Sequence, residues 1–234
     1  MDATSAAAMM LSNPDHFFKY YPVMMAGGTG TFTVNMANPK TYYLAKKTGS
    51  AYGYSKAGHF GATRPGFLHT KEISSFKMDV FATPGSSGAL LTDGVPMVNY
   101  NGTKDGKLDL QGNIVALDHY VVGAPADYMT TGVLTGCCFT WIDSGADLWC
   151  THIRPIGILN GNLLQTQVDA TGQFAGAPAH QVKTFGSNDF TDLYGIVIGV
   201  RVAGVWKLYA QSSDDQYQTL KKAWRLHPGP MVQL

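Results

Sequence analysis

Two side chains stand out for the chemistry they could do together. Cys137 follows Leu134-Thr135-Gly136, and His152 lies fifteen residues further on, beyond the turn-forming segment Asp143-Ser144-Gly145-Ala146-Asp147. Strands on either side of that turn run antiparallel and carry residue 152 back toward residue 137. A thiol beside an imidazole can form a thiolate–imidazolium pair, which lowers a cysteine pKa from about 8.5 toward roughly 3.5–7.5 and makes the sulfur a nucleophile. Gly136 leaves room for a substrate carbonyl to approach, and backbone amides near Cys137 can donate to an oxyanion. Thr131, six residues before Cys137, can accept the second imidazole hydrogen and hold the ring in one tautomer. The competing reading is structural. Free cysteine is among the most buried residue types, and two in succession on a strand place at least one in a core. Cys138 points to the opposite face from Cys137, and the core reading holds for it and for Cys150.

The other reactive residues form no comparable group. His16, His59, His69, His119, His180 and His227 are scattered without metal-ligand spacing, and there is no Cys-x-x-Cys pair of the kind zinc sites use. Gly27-Gly28-Thr29-Gly30 lacks the Gly-Lys-Ser/Thr ending of a phosphate loop and reads as a turn. Asp118-His119 reads as surface loop. Arg154, directly after Ile153, is a candidate for binding an acidic substrate surface, with an ordinary ion pair as the alternative. Trp141 and Trp149 either line a cleft or pack in the core. No metal and no cofactor is expected.

The elements that position these residues read as mostly β. Residues 20–45 carry apolar runs and period-two alternation, including Thr31 to Met36 and Tyr42 to Leu44. Residues 48–66 read as a long loop, Ile73 to Ala82 as a strand, and Thr83 to Gly88 as a turn. Asn101-Gly102 and Asp105-Gly106 are hairpin signals. Residues 114–122 and 131–142 are apolar runs, and Leu148 to Ile153 is a returning strand. Residues 156–190 read as loop. Leu193 to Val202 forms a strand, Gly204 turns it, and Trp206 to Ala210 pairs back. The segment 212–223 reads as a short helix capped by Ser213, Trp224 to Leu226 as a last strand, and Pro228-Gly229-Pro230 as the end of order. Residues 1–12 read as a short helix or a frayed tail. The expected fold is α+β, mostly β: two packed mixed sheets in a β-sandwich, flanked by short helices and long loops, in a single domain over 1–234.

Bulk properties narrow the function. Lys and Arg number 17 against 16 Asp and Glu, for a formal net charge of +1, so no global field draws the chain to nucleic acid or membrane. Three cysteines are too few and too odd in number for a disulfide framework and suit a reducing compartment. No apolar run approaches the roughly 20 residues of a transmembrane helix. The expectation is a soluble monomer without membrane insertion.

At the candidate site the sequence resembles a known family. Thr131-Gly132-Val133-Leu134-Thr135-Gly136-Cys137 resembles the Thr-x-x-Leu-Ser-Gly-Cys motif of the Burkholderia lethal factor family, with Thr135 in place of the motif serine. That family is related to the catalytic domain of cytotoxic necrotizing factors and to the chemotaxis deamidase CheD. His152-Ile153 matches the family's histidine in spacing and in the isoleucine that follows. Gly195-Ile196-Val197-Ile198-Gly199, Leu208-Tyr209 and Ser212-Ser213 resemble its C-terminal part, whereas residues 156–190 do not. The resemblance implies a toxin-like glutamine deamidase with Cys137 as nucleophile, His152 as base and Thr131 as the third member. It implies a eukaryotic host protein as substrate, either a translation-initiation DEAD-box helicase or a Rho-family GTPase. A toxin of this kind, made in a bacterial cytoplasm, would need a delivery route to a host cytosol that this chain does not encode. A CheD-like housekeeping deamidase, another cysteine hydrolase and a non-enzymatic β-sandwich binding module are the alternatives.

Overall fold

A computed structural model of the chain describes residues 1–25, 40–46, 52–54, 71–73, 76–80, 89–101, 103–104, 107–108, 120–145, 147–156, 160–171, 182–213 and 220–234. The expected strand over Thr31 to Met36, the Gly27–Gly30 turn, the Thr83–Gly88 turn and Asp118-His119 lie outside these residues.

Two helices open the chain, α1 (Ala3–Ser12) and α2 (Pro14–Tyr20). The strands that follow are β1 (Val23–Met25), β2 (Lys40–Lys46), β3 (Tyr52–Tyr54), β4 (Lys71–Ile73), β5 (Phe76–Val80), β6 (Ala89–Val95), β7 (Met97–Asn101), β8 (Thr103–Lys104) and β9 (Lys107–Leu108). Next come β10 (Tyr120–Val122), β11 (Tyr128–Thr131), β12 (Cys138–Asp143) and β13 (Leu148–Ile156), then helix α3 (Gly161–Thr171). The chain continues through β14 (Lys183–Phe185), β15 (Tyr194–Val202), β16 (Val205–Ser213), β17 (Leu220–His227) and β18 (Val232–Gln233).

The strands form a nine-stranded sheet in the order β1-β5-β2-β6-β11-β15-β16-β17-β18 and a five-stranded sheet in the order β10-β13-β12-β14, with β7 also on β13. Both are mixed: β6 and β11 run parallel in the first, β7 and β13 in the second. Alternation along the strands sorts apolar side chains into separate layers. On β15, Ile196, Ile198 and Val200 face α1 and α2, packing with Ala6, Met10, Phe17 and Phe18. Val197 faces the other way, into the layer between the sheets with Met129, Phe139, Trp141, Phe185 and Leu208. The outer face of the smaller sheet buries Cys138, Ile142 and Ile153 against Leu164 and Val168 of α3. The molecule is thus a sandwich of two mixed sheets with a helix layer on each outer face.

Local chemistry explains the main hairpins. Ala203 and Gly204, with φ of 51° and 82°, make the two-residue turn that joins β15 to β16, a turn type with positive φ at both central residues whose backbone twist matches the right-handed twist of paired strands. Asp143 Oδ1 accepts from Gly145 N at 2.8 Å, and Ser144 N donates to Asp147 O at 3.0 Å, closing the β12–β13 turn. The N-terminal segment is a docked helix rather than a frayed tail: Asp2 Oδ1 caps α1 from Ser5 N at 2.7 Å, and Ala6 and Met10 are buried.

Several expected elements differ. The 212–223 helix is not formed at its described ends, because Ser212 and Ser213 pair with Gly195 and Tyr194 in β16 and 220–223 belong to β17. The loop reading of 156–190 missed α3, and that of 48–66 missed β3. The strand over 73–82 is split between β4 and β5. Order does not end at Pro228-Gly229-Pro230, since β18 pairs back on β17 beyond it.

Candidate active site

The motif from Thr131 to Cys137 is the path by which the chain leaves one sheet for the other. Thr131 is the last residue of β11, in the larger sheet. Leu134 is fully buried and still tied to that sheet by Leu134 N to Gly195 O at 2.7 Å and Gly195 N to Leu134 O at 2.9 Å. Gly136 then takes φ +93°, a left-handed conformation that costs other residues roughly 1–2 kcal/mol. Cys137 follows, one residue before β12 in the smaller sheet. The first residue of α3 seals this turn. A Cβ on Gly161 would lie 2.5 Å from Gly136 O and 2.3 Å from Ser187 Oγ, so only glycine allows the helix to approach so closely.

His152 stands on β13, paired with Phe139 of β12. The register Cys138↔Ile153 sets Cys137 level with Arg154, so His152 is the diagonal neighbour of Cys137, a position long side chains can reach. Cys137 belongs to the apolar layer between the sheets. Thr131 reaches into the same region from the opposite sheet, and its Oγ1 lies 2.6 Å from His152 Nδ1. Both residues are fully buried. His152 Nε2 is buried and has no hydrogen-bond partner. The structure therefore joins Thr131 to His152 by a bond and holds Cys137 in the same layer, but no hydrogen bond links the Cys137 thiol to the imidazole.

Burial dominates the electrostatics. It pushes the imidazole of His152 down to about 4, and the nearby Arg154 charge adds to this. It raises the Cys137 thiol, against smaller opposing effects from a hydrogen bond with the Thr135 backbone and from Arg154. At neutral pH both groups are uncharged at rest, so the ion pair expected from the cysteine–histidine spacing is not the resting form. Cys138 and Cys150 are fully buried, and burial raises their thiols well above the ordinary range. Cys138 faces α3, whereas Cys150 shares the inter-sheet layer.

Two features had escaped the reading of the sequence. The first is the clasp of α3 on residues 186–189. Gln165 Nε2 donates to Asp189 Oδ2 at 2.6 Å, Gln165 Oε1 accepts from Asn188 N at 2.8 Å, and Gly186 N donates to Asp189 Oδ2 at 2.9 Å. Its signal was the cap: Asn160 Oδ1 accepts from Leu163 N at 2.9 Å, ahead of Leu164 and Val168 at helical spacing. The second is Asp93 on β6, buried between the sheets one pleat from Val95, the partner of Thr131. Asp93 Oδ2 accepts from Gly123 N at 3.0 Å, and Oδ1 has no partner. Burial raises its carboxyl, and burial together with Asp93 pushes the Tyr120 phenol up to about 12. No spacing rule would have found it.

Trp141 is a core residue of the inter-sheet layer, and Trp149 packs on the α3 side. Gly136 is at the turn, and Arg154 is exposed on the same strand as His152. Among the described residues no group of three His, Cys, Asp or Glu side chains is placed to hold a metal ion, and no helix is long and apolar enough to cross a membrane. Comparison with protein-family models gives no match, and comparison with curated proteins gives none either.

Proposed function

We propose that this protein is a glutamine deamidase in which Cys137 is the nucleophile, His152 the general acid–base and Thr131 the residue that orients the imidazole. The observation that carries the reading is the buried pair Thr131 Oγ1–His152 Nδ1 at 2.6 Å, which leaves Nε2 unpartnered in the layer that holds Cys137. When Nδ1–H donates to Thr131, Nε2 presents a lone pair, the form a base requires.

The chemistry follows from neutral partners. The Cys137 proton passes to His152 Nε2 as sulfur attacks the carboxamide carbon of a substrate glutamine. Backbone amides around Gly136 and Cys137 donate to the tetrahedral oxyanion. The imidazolium returns the proton to nitrogen, ammonia leaves, and a thioester remains. Water then adds to the thioester with His152 as base, releasing glutamate and the thiol. An amine in place of water would give transglutamination. Burial keeps the imidazole neutral and so able to accept a proton at neutral pH. It also weakens His152 as a base and the thiol as an acid, so the transfer is uphill in the resting protein and must be drawn forward by the bound substrate. On this reading the substrate is a surface glutamine of a host protein, the protein acts in a host cytosol, and the toxin-like class suggested by the motif applies.

Intact-protein and peptide mass spectrometry of a eukaryotic lysate treated with wild type or Cys137→Ser tests the proposal. A gain of about one dalton at a glutamine with wild type alone is the expected result; identical lysates would overturn it. The competing reading, a non-enzymatic sandwich with a buried thiol, draws on the lack of a bond between Cys137 and His152. It requires that neither protein alter any glutamine.

A further inference from the structure

Side chains at alternate positions of a strand share a face, and on β13 one face runs through Cys150, His152, Arg154 and Ile156. Cys150 and His152 are fully buried, Arg154 is exposed, and Ile156 is 37% exposed. The inter-sheet layer therefore meets solvent at the level of Arg154, one pleat beyond the imidazole. The flanking strands fit this. On the parallel neighbour β7, half-buried Met97 pairs with His152 and exposed Asn99 pairs with Arg154. On the other side, the register Cys138↔Ile153 puts Cys137 at the level of Arg154. The exposed guanidinium thus stands at the same level as the thiol, on the neighbouring strand.

Among the described residues no carboxylate is paired with that charge. The ion pairs among the described residues join Arg201 to Asp127, Arg225 to Asp15 and His227 to Asp143. The Arg154 charge is felt at both the Cys137 thiol and the His152 imidazole, so it lies within electrostatic reach of both. A planar guanidinium with no ion pair among the described residues can bind carboxylates in two-point fashion, and an amide such as that of Asn99 can add a donor.

We propose that Arg154 is the specificity-determining residue at the mouth of this site, and that the glutamine it admits carries an aspartate or glutamate close by in the substrate chain. The assignment of the scissile group as glutamine rests on the deamidase reading; the preference for an anion beside the thiol does not. In an extended substrate segment residues two apart share a face. A glutamine side chain reaching Cys137 would thus place an acidic residue two positions away against Arg154.

Two measurements on the intact protein decide the matter. The first is the ratio of the rates at which iodoacetate and iodoacetamide alkylate Cys137. Both reagents meet the same thiolate, so the ratio cancels any change in its ionisation and reports local charge. Wild type should favour iodoacetate relative to a free thiol. R154Q should lower the ratio by about threefold to tenfold, the size expected for one charge a few ångströms away when water screens it fully. R154E should lower it further, and R154K should restore it. About 1 M salt, where the screening length is roughly 3 Å, should bring wild type toward R154Q. The second is ammonia release from two peptides that differ only in glutamate or lysine two residues from the glutamine. Wild type should favour the glutamate peptide and R154E the lysine peptide. Equal alkylation ratios in wild type and R154E would overturn the proposal, as would equal turnover of the two peptides. Either result leaves the deamidase reading standing if ammonia is released. If no peptide yields ammonia, the deamidase reading is what fails, and the alkylation ratio alone decides whether Arg154 selects anions.

Discussion

Thr131 Oγ1 and His152 Nδ1, 2.6 Å apart, are contributed by different sheets of the sandwich. The bond spans the layer between them, so the imidazole is set by the packing of the two sheets as well as by its own strand. Removing the hydroxyl with Thr131→Val keeps the shape of the side chain and frees the ring. An orienting hydrogen bond contributes about 0.5–1.5 kcal/mol, whereas general acid–base catalysis contributes roughly 10²–10⁴-fold. Thr131→Val should therefore lower turnover less than His152→Ala does, with little change in substrate affinity. The two losses should not add, since Thr131 has nothing to orient once the ring is gone. A double-mutant cycle on glutamine-to-glutamate conversion checks this, and full additivity would return Thr131 to the ranks of ordinary strand residues.

Cys137→Ser should abolish turnover while the protein stays folded, because the hydroxyl is close in volume to the thiol and far harder to deprotonate. Circular dichroism and a melting curve establish the fold. Activity within a few-fold of wild type would remove Cys137 from the mechanism.

Among the three thiols, Cys137 should react first with iodoacetamide. It is 5% exposed, against 0% for Cys138 and Cys150. Since burial raises its thiol, alkylation should be slow at neutral pH and still accelerating above pH about 9, past the ordinary value of roughly 8.5. Peptide mapping of the alkylated protein across pH is the measurement. A rate already at its plateau near pH 7 would mean a resting thiolate.

Stability should fall in mild acid because of His152. The folded imidazole is pushed down to about 4, below the ordinary value of about 6.5, so the unfolded chain takes up the proton first as pH drops. The stabilisation is complete above about pH 6.5 and is lost between there and about pH 4, with a total on the order of 3 kcal/mol. Glutamine at this position does not titrate, so His152→Gln should flatten the dependence in that window. His227 is also lowered by burial and Asp93 is raised, but both are present in each protein and cancel in the comparison. Denaturant midpoints at several pH values give the slopes, and parallel curves would contradict the assignment.

Gly161→Ala should disturb the site from outside it. The new methyl would lie 2.5 Å from Gly136 O, and relieving such crowding costs about 1–3 kcal/mol. The shift falls on the turn that carries Cys137, so turnover should drop together with the melting temperature. Gly123→Ala, where a Cβ meets nothing within 4 Å, is the control and should leave turnover unchanged.

What could be read from the residues beforehand depended on how local the determinant was. The β15–β16 hairpin was legible because alternation and a two-residue turn sit in one stretch, and the β12–β13 hairpin was legible for the same reason. Ser212 to Ala223 misled because its caps favour a helix, while pairing with Tyr194 and Gly195 across the β15–β16 hairpin made Ser212 and Ser213 a strand. Helix α3 was hidden by its polar run of Asn, Gln and Thr. At the site, residue types and spacing named Cys137, His152 and Thr131. That Thr131 and His152 meet across two sheets follows from the crossover at Gly136, which no periodicity encodes. That the pair rests uncharged follows from burial, which depends on the whole fold.

Gln211 binds residues early in the chain to a strand completed late. Its Oε1 accepts from Val23 N, and its Nε2 donates to the carbonyls of Phe18 and Tyr21, across separations of 188 to 193 residues. Asp15 is held in the same way by Tyr209 and Arg225, 194 and 210 residues away. A ribosome releases α1 and α2 long before these partners exist. Helices of 10 and 7 residues are marginal by themselves in water, so Ala6, Met10, Phe17 and Phe18 wait uncovered through most of synthesis. The larger sheet is closed over only when β16 and β17 have emerged. Distant pairings of this kind slow folding and lengthen the exposure of apolar surface, so yield in a cell should respond to chaperone supply more than the finished sandwich would suggest.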